Sequence, residues 1–165
     1  MLSDLPKTID PIRLARAGSR LEGSLETGIM ERLAPLLMTP DGHVDFRLDF
    51  LQDSDGVNIV ESECCTALSM QCQRCFNPVA IEIHTHSRLV VVASEEAARD
   101  IPADCEPLLF NGENLDLARM IEEEILLALP IAPRHEHEQC HAGTRDSLAG
   151  NRGKNPFSIL KNLEL

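Results

Sequence analysis

The alternation of apolar and polar residues predicts three consecutive strands in the middle of the chain. Residues 44–50 place an apolar side chain at every second position, with charged side chains between them. A period of two is typical of a strand that buries one face. Residues 57–72 and 79–92 carry a similar alternation, and a polar turn at 53–56 separates the first two segments. Short connections of this kind predict an antiparallel meander.

Helical spacing predicts three further elements around these strands. Apolar residues recur every three or four positions over 115–129, and Pro130 ends that helix. Asp10 as an N-cap, with proline at the next position, predicts a short helix over 11–17. Another helix is predicted over 27–37, with Thr27 as its N-cap and Pro40 after its end. We therefore expect an α+β fold, in which the 115–129 helix packs on an antiparallel sheet of at least three strands.

The length and the change of composition near the end predict one domain followed by a tail. A chain of 165 residues has the size of a single domain. Few residues after Pro133 are suited to a core until the apolar positions of 156–163. We expect a single α+β domain over 1–140 and a flexible basic tail over 141–165. The tail would end in a short amphipathic helix that docks on this protein or on a partner.

Charge restricts the possible partners. The net charge is −12, from 15 basic and 27 acidic side chains. This balance argues against direct binding along a nucleic-acid backbone, because such binding relies on Lys and Arg neutralising phosphates. Residues 95–140 hold 12 acidic and 3 basic side chains, whereas residues 141–165 hold 2 acidic and 4 basic. The acidic block is interpreted either as a solvated helix face or as a docking surface for a basic protein.

The sequence has no pattern typical of membrane or secreted proteins. Its apolar runs are far shorter than the roughly 20 residues of a spanning helix. Residues 1–7 lack the basic flank and apolar stretch of a signal peptide. We therefore expect a cytoplasmic protein that makes no membrane contact. Thiols stay reduced in that compartment, so the six cysteines are interpreted as ligands, core residues or a reactive thiol.

Cys72 and Cys75 have the spacing of a zinc knuckle and lie where the second strand turns into the third. A knuckle supplies two thiolates to a tetrahedral ion, and the other ligands must come from elsewhere. Cys140 would supply a third thiolate. An imidazole would come from one of three histidines, His135, His137 or His141. The alternatives are a redox dithiol and a metal-free pair of turn cysteines.

Residues 137–141 also satisfy H-E-x-x-H, the signature of zinc proteases. That chemistry requires both histidines on one face of a stable helix, but this stretch lies between Pro133 and Gly143 and has little apolar face. We interpret the match as accidental and assign no catalytic residue. The glutamates at 122–124 predict an exposed helix side, with Glu124 turned toward a buried arginine.

Four motifs occur in a characteristic order along nearly the whole chain. They are Asp10-Pro11-Ile12-Arg13, Cys72-Gln73-Arg74-Cys75, the run 122–133 with His135 and Cys140 after it, and Asn155-Pro156-Phe157-Ser158-Ile159-Leu160. This combination resembles the YceD-type large ribosomal RNA subunit accumulation proteins of bacteria. The resemblance implies a factor needed for the synthesis, processing or stability of large-subunit (23S) ribosomal RNA, with no established enzymatic activity.

Carried over by position, the resemblance places the family's cysteine pair at Cys72 and Cys75, and its later histidine and cysteine at His135 and Cys140. These four residues are the predicted ligands of a structural zinc. The expected partners are large-subunit ribosomal RNA, a basic large-subunit ribosomal protein, or both, and no small-molecule substrate is expected. The alternative functions are a zinc-binding adaptor unrelated to ribosomes and a metal-dependent hydrolase using the 137–141 motif.

Overall fold

The structure, a computed structural model, describes residues 5–136 and residue 140. The predicted tail at 141–165 and most of the H-E-x-x-H motif lie outside the described residues. In chain order, the elements are β1 (Thr8–Ile9), α1 (Pro11–Arg16), β2 (Arg20–Glu26), β3 (His43–Gln52), β4 (Asn58–Gln71), β5 (Pro78–Val92), β6 (Glu106–Leu109), β7 (Leu115–Asp116) and α2 (Leu117–Ala128).

The main sheet has five strands in the order β2-β3-β4-β5-β6. The first four form an antiparallel meander, and β6 pairs parallel to β5. The predicted α+β class and the antiparallel sheet are confirmed. Neither β2 nor β6 was predicted: β2 has only two large apolar residues, Leu21 and Leu25, and the four residues of β6 are too few to show a period and include a proline. A second, two-stranded sheet joins β1 to β7.

The core lies on one face of the meander. Alternate residues of β3, from Val44 to Phe50, are buried, and those of β4 continue the same face from Cys64 to Met70. The helix α2 covers this face with Leu117, which is fully buried, and with its other apolar residues. Burying this apolar area is the main favourable contribution to folding.

The short polar turn between β3 and β4 forms as expected. The Oδ1 atom of Asp53 accepts hydrogen bonds from the backbone N–H groups of Asp55 and Val57, at 2.9 and 2.8 Å. Gly56 has a φ of 81°, a conformation that costs glycine little because it has no Cβ. The turn therefore fixes the register in which Gln52 faces Asn58.

The predicted helix over 27–37 is wrong. The chain forms only two short 3-10 turns there, Thr27–Ile29 and Ala34–Leu36. The Thr27 side chain is buried and donates to the carbonyl oxygen of Pro40 at 2.7 Å instead of capping a helix. Pro35 also interrupts the segment, because proline offers no N–H to a helix interior.

The other two predicted helices are confirmed, with small differences at their ends. Asp10 caps α1 by accepting from the backbone N–H of Arg13 at 3.0 Å. The helix α2 begins at Leu117, two residues later than expected, because Leu115–Asp116 pairs with β1 as β7. Neither helix of the described residues is long and apolar enough to span a bilayer.

Candidate metal centre

The turn between β4 and β5 holds Cys72 and Cys75 on the same side of the chain. The backbone N–H of Cys72 donates to the carbonyl oxygen of Asn77 at 2.9 Å, and the backbone N–H of Phe76 donates to the carbonyl oxygen of Cys72 at 2.9 Å. Phe76 adopts a φ of 62°, which is uncommon for a residue with a side chain. Both thiols of this tight turn face the segment that follows α2.

The segment after α2 brings the other two residues to this turn. The backbone N–H of Gln73 donates to the carbonyl oxygen of Pro133 at 2.8 Å, which fixes the chain just before His135. His135 Nδ1 then lies 3.4 Å from the Sγ atom of Cys75. The Sγ atoms of Cys72 and Cys140 are 3.8 Å apart. The expectation that the Cys72 turn and Cys140 lie close together is confirmed.

The imidazole of His135 is oriented as a metal ligand would be. Its Nε2 lies 2.8 Å from the carbonyl oxygen of Pro78, and a carbonyl can only accept, so Nε2 carries the proton. Nδ1 is then the nitrogen that lies beside the thiols and would bind a metal. Metal-bound histidines are commonly held in this way, by a hydrogen bond from the nitrogen that does not bind the metal.

The cluster has the donor set and the size of a tetrahedral zinc site. One ligand atom from each of Cys72, Cys75, His135 and Cys140 lies within 4.8 Å of all the others. Zn–S bonds of about 2.3 Å at tetrahedral angles place two sulfurs about 3.8 Å apart, close to the separation of the Cys72 and Cys140 sulfurs. Cys72 and Cys140 are buried, and Cys75 and His135 are half-buried. The four residues therefore fit a closed Cys3His centre.

The thiols of Cys72 and Cys140 have opposite pKa shifts. Burial acts to raise the pKa of Cys72, but backbone N–H groups of Cys75, His135 and Arg74 outweigh it and bring the pKa to about 5. Burial and the neighbouring cysteine thiols raise the pKa of Cys140 to about 11. A thiolate ligand must be deprotonated, so Cys72 is already in the binding form at neutral pH and Cys140 is not.

The structure brings together all four residues predicted as zinc ligands, and their role as ligands stays a prediction. His137, Glu138 and His141 lie outside the described residues. The adjacent thiols at 64 and 65 point to opposite faces of β4: Cys64 is buried and Cys65 is exposed.

Two glutamates on α2 are buried, and the sequence predicted only one of them to face inward. Glu122 and Glu124 are only 4% and 8% exposed, so the inward orientation expected of Glu124 is confirmed, whereas the exposed position predicted for Glu122 is wrong. Glu124 accepts from the hydroxyl of Ser87 at 2.5 Å rather than meeting an arginine. The inward orientation of Glu124 follows from its position seven residues after Leu117, on the same apolar stripe of the helix.

Comparison with known proteins adds an independent finding. Residues 60–164 match the family described as large ribosomal RNA subunit accumulation protein YceD. A Haemophilus influenzae protein with the same description is 30% identical over 168 residues, which cover 97% of this chain and 96% of that protein. No solved structure matches. Because the family match covers more than half of the chain and the relative spans nearly all of it, the chain belongs to the YceD family.

Proposed function

We propose that this protein is a non-enzymatic factor required for the accumulation of large-subunit (23S) ribosomal RNA, and that it acts in the cytoplasm. The observation that carries the proposal is the relationship, over 97% of the chain, to a protein described by that role. The factor would support the synthesis, processing or stability of this RNA.

We further propose that the protein acts through a basic partner, such as a large-subunit ribosomal protein. The helix α2 is not the attractive surface, because Glu122 and Glu124 are turned inward. A better surface is the acidic segment, residues 95–113, which carries six acidic side chains and one basic residue, Arg99. All six acidic side chains are exposed. An exposed surface of one charge attracts a partner of the opposite charge and accelerates encounter.

A structural zinc is the cofactor that the Cys3His cluster supports. All four tetrahedral positions would be filled by protein atoms, with Cys72 and Cys75 from one turn and His135 and Cys140 from the segment after α2. Catalytic zinc sites keep a position for water or substrate. The closed donor set therefore favours a structural site over the hydrolase alternative. The ion would attach the end of α2 to the turn between β4 and β5.

Deleting the gene tests the ribosomal role. We expect the deletion strain to show a reduced ratio of large-subunit to small-subunit ribosomal RNA, and fewer large subunits on sucrose gradients. Expression of the wild-type chain should restore both. A deletion strain with normal large-subunit RNA would contradict the proposal, and together with a confirmed zinc site it would favour the adaptor alternative.

Metal analysis of the protein, purified under reducing and chelator-free conditions, tests the zinc proposal separately. We expect one zinc per chain in the wild type and in Cys65→Ser, whose thiol is exposed and outside the cluster. Cys72→Ser should lose the zinc and, because metal binding is coupled to folding, also lose stability against urea. A wild type without stoichiometric metal, or a Cys72→Ser protein that keeps its metal, would contradict the site.

A further inference from the structure

An apolar groove lies beside the candidate metal centre. It has a volume of about 470 Å³, within the range of pockets that enclose small ligands. Seven of its nine lining residues are apolar, and they come from the 3-10 turn at 34–36, the end of β4, and the end of α2 with the segment that follows: Leu36, Met70, Leu126, Leu129, Pro130, Ile131 and Pro133.

Apolar side chains at this groove are left in contact with water. Leu36 is 48% exposed and Ile131 is completely exposed. Clusters of large exposed apolar side chains are typical of surfaces that bind another segment or protein. We therefore expect an apolar segment to bind in the groove.

The chain itself supplies a segment of this character. Residues 156–163 contain Phe157, Ile159, Leu160 and Leu163, and this segment follows a polar connection that starts after Cys140. Sixteen peptide units from Cys140 to Pro156 can extend to at most about 55 Å. This reach is sufficient, because Cys140 lies close to the groove. Its sulfur is beside that of Cys72, and the next residue, Gln73, lines the groove. Gln73 is hydrogen-bonded to Pro133, which also lines it.

We infer that residues 156–163 bind in this groove within the same chain. A tether of this length gives an effective concentration on the order of 1 mM, so an apolar contact with a Kd below that value keeps the groove occupied most of the time. Phe157 and Leu160 are the side chains that fill it. The inference is independent of the proposed ribosomal role and does not require the metal, although an ion at Cys140 would fix the start of the connection beside the groove.

Solvent accessibility of a single methyl group tests the inference in the full chain. The δ-methyl of Ile131 is observed by NMR while a soluble nitroxide is added, and its relaxation enhancement is compared between the wild type and Phe157→Asp/Leu160→Asp. We expect the enhancement to be about threefold larger in the double variant, because the groove is then uncovered. The δ-methyl of Ile29, which is 54% exposed and does not line the groove, should be unchanged.

Ser158→Asp is the matched control, because it adds a negative charge to the same segment and leaves both anchor side chains in place. It should behave as the wild type does. An Ile131 methyl that is equally accessible in the wild type and the double variant would overturn the inference. Protection that disappears on dilution would also overturn it, since the occupant would then be a second copy. Zinc content measured on the same samples separates these outcomes from a failure of the metal site.

Discussion

At the residue scale, the buried carboxylates of α2 are the least expected feature of the fold. Glu122 accepts hydrogen bonds from the backbone N–H groups of Arg32 and Leu33, at 2.7 and 3.0 Å. Those two donors lie in the irregular segment between β2 and β3. A buried N–H without an acceptor costs free energy comparable to a lost hydrogen bond, so Glu122 provides the acceptor that a regular helix would have supplied.

Replacing this carboxylate should destabilise the protein. Glu122→Gln keeps the shape and one acceptor oxygen but removes the charge from both hydrogen bonds, so we expect the free energy of unfolding to fall by about 1–2 kcal/mol. Urea denaturation measures the change. Glu123→Gln is the control on the same helix: its carboxylate is exposed and pairs with Arg32, and it should change stability by less than about 1 kcal/mol. Equal effects of the two substitutions would contradict the role of Glu122.

Glu124 should make stability depend on pH. Burial raises its pKa above the ordinary value of 4.5, with a smaller rise from Glu106 and an opposing hydrogen bond from Ser87. A raised carboxyl pKa stabilises the fold below the unfolded pKa, and this contribution is lost as pH rises through the folded pKa. Glu124→Gln lacks this loss, so the variant should gain stability relative to the wild type between about pH 4 and pH 7. Urea denaturation over this range measures the gain, and a constant difference would contradict the argument.

The sequence predicted the placement of residues well where the chemistry is local or the motif is specific. Asp10, Asp53 and the thiols at 72 and 75 have short-range partners or a recognisable spacing. The role of Glu122 could not be predicted, because its two donors lie about 90 residues away in the chain. The backbone N–H groups of these two donors lack a helical acceptor only because the chain after Thr27 forms short 3-10 turns in place of a regular helix.

At the scale of elements, the three long strands β3, β4 and β5 were predictable, and the shorter strands and the connections were not. The alternation of apolar and polar residues over 44–50 and in the neighbouring segments indicates directly that each strand buries one face. The helix predicted over 27–37 failed because its apolar residues pack as two short turns that hold Met30 and Leu33 in the core. Apolar spacing alone does not distinguish the two arrangements.

The candidate metal centre connects the turn between β4 and β5 to the segment after α2. The pKa values of its thiols predict how many protons zinc binding releases. Zinc binding at pH 7 should release at least one proton per ion, because the Cys140 thiol, with a pKa of about 11, must ionise. Cys72, with a pKa of about 5, should contribute little. Isothermal titration calorimetry in buffers of different ionisation enthalpy measures the release. Cys65→Ser should release the same number, and a binding enthalpy independent of the buffer would contradict the proposed thiolate ligation.

At the scale of the whole molecule, the charge is divided between surfaces with different uses. The meander's solvent-facing side pairs many of its charges, as in the contacts of Arg47 with Asp49 and Glu63. The acidic segment, by contrast, has one basic residue, Arg99, among its six acidic side chains. Its negative potential is therefore less neutralised locally, and this supports its proposed role in binding a basic protein.

Charge reversal tests this surface. We expect Glu95→Lys/Glu96→Lys to raise the Kd for a basic large-subunit ribosomal protein by about tenfold, equivalent to about 1.4 kcal/mol, and to reduce the salt dependence of binding. Glu26→Lys/Glu82→Lys is the matched control, because it changes the net charge equally at exposed positions of β2 and β5. Fluorescence anisotropy over a salt series measures both.

An equal loss of affinity in the two variants would show that only the net charge matters and would contradict the assignment to the acidic segment. Tight, salt-sensitive binding of the wild type to naked ribosomal RNA, with no protein present, would contradict the partner-mediated proposal itself.

The small sheet of β1 and β7 has a consequence for folding during synthesis. Thr8 pairs with Asp116, and the carbonyl oxygen of Lys7 accepts from the N–H of Leu117 at 3.1 Å. The meander from β2 to β5 consists of sequence neighbours that can pair as soon as they leave the ribosome. By contrast, β1 cannot pair with β7 until more than 100 further residues have been synthesised. Contacts between distant segments form slowly because a long loop must close first. We therefore expect a nascent chain to hold its first strand unpaired until α2 has emerged, and to close the domain in one late step.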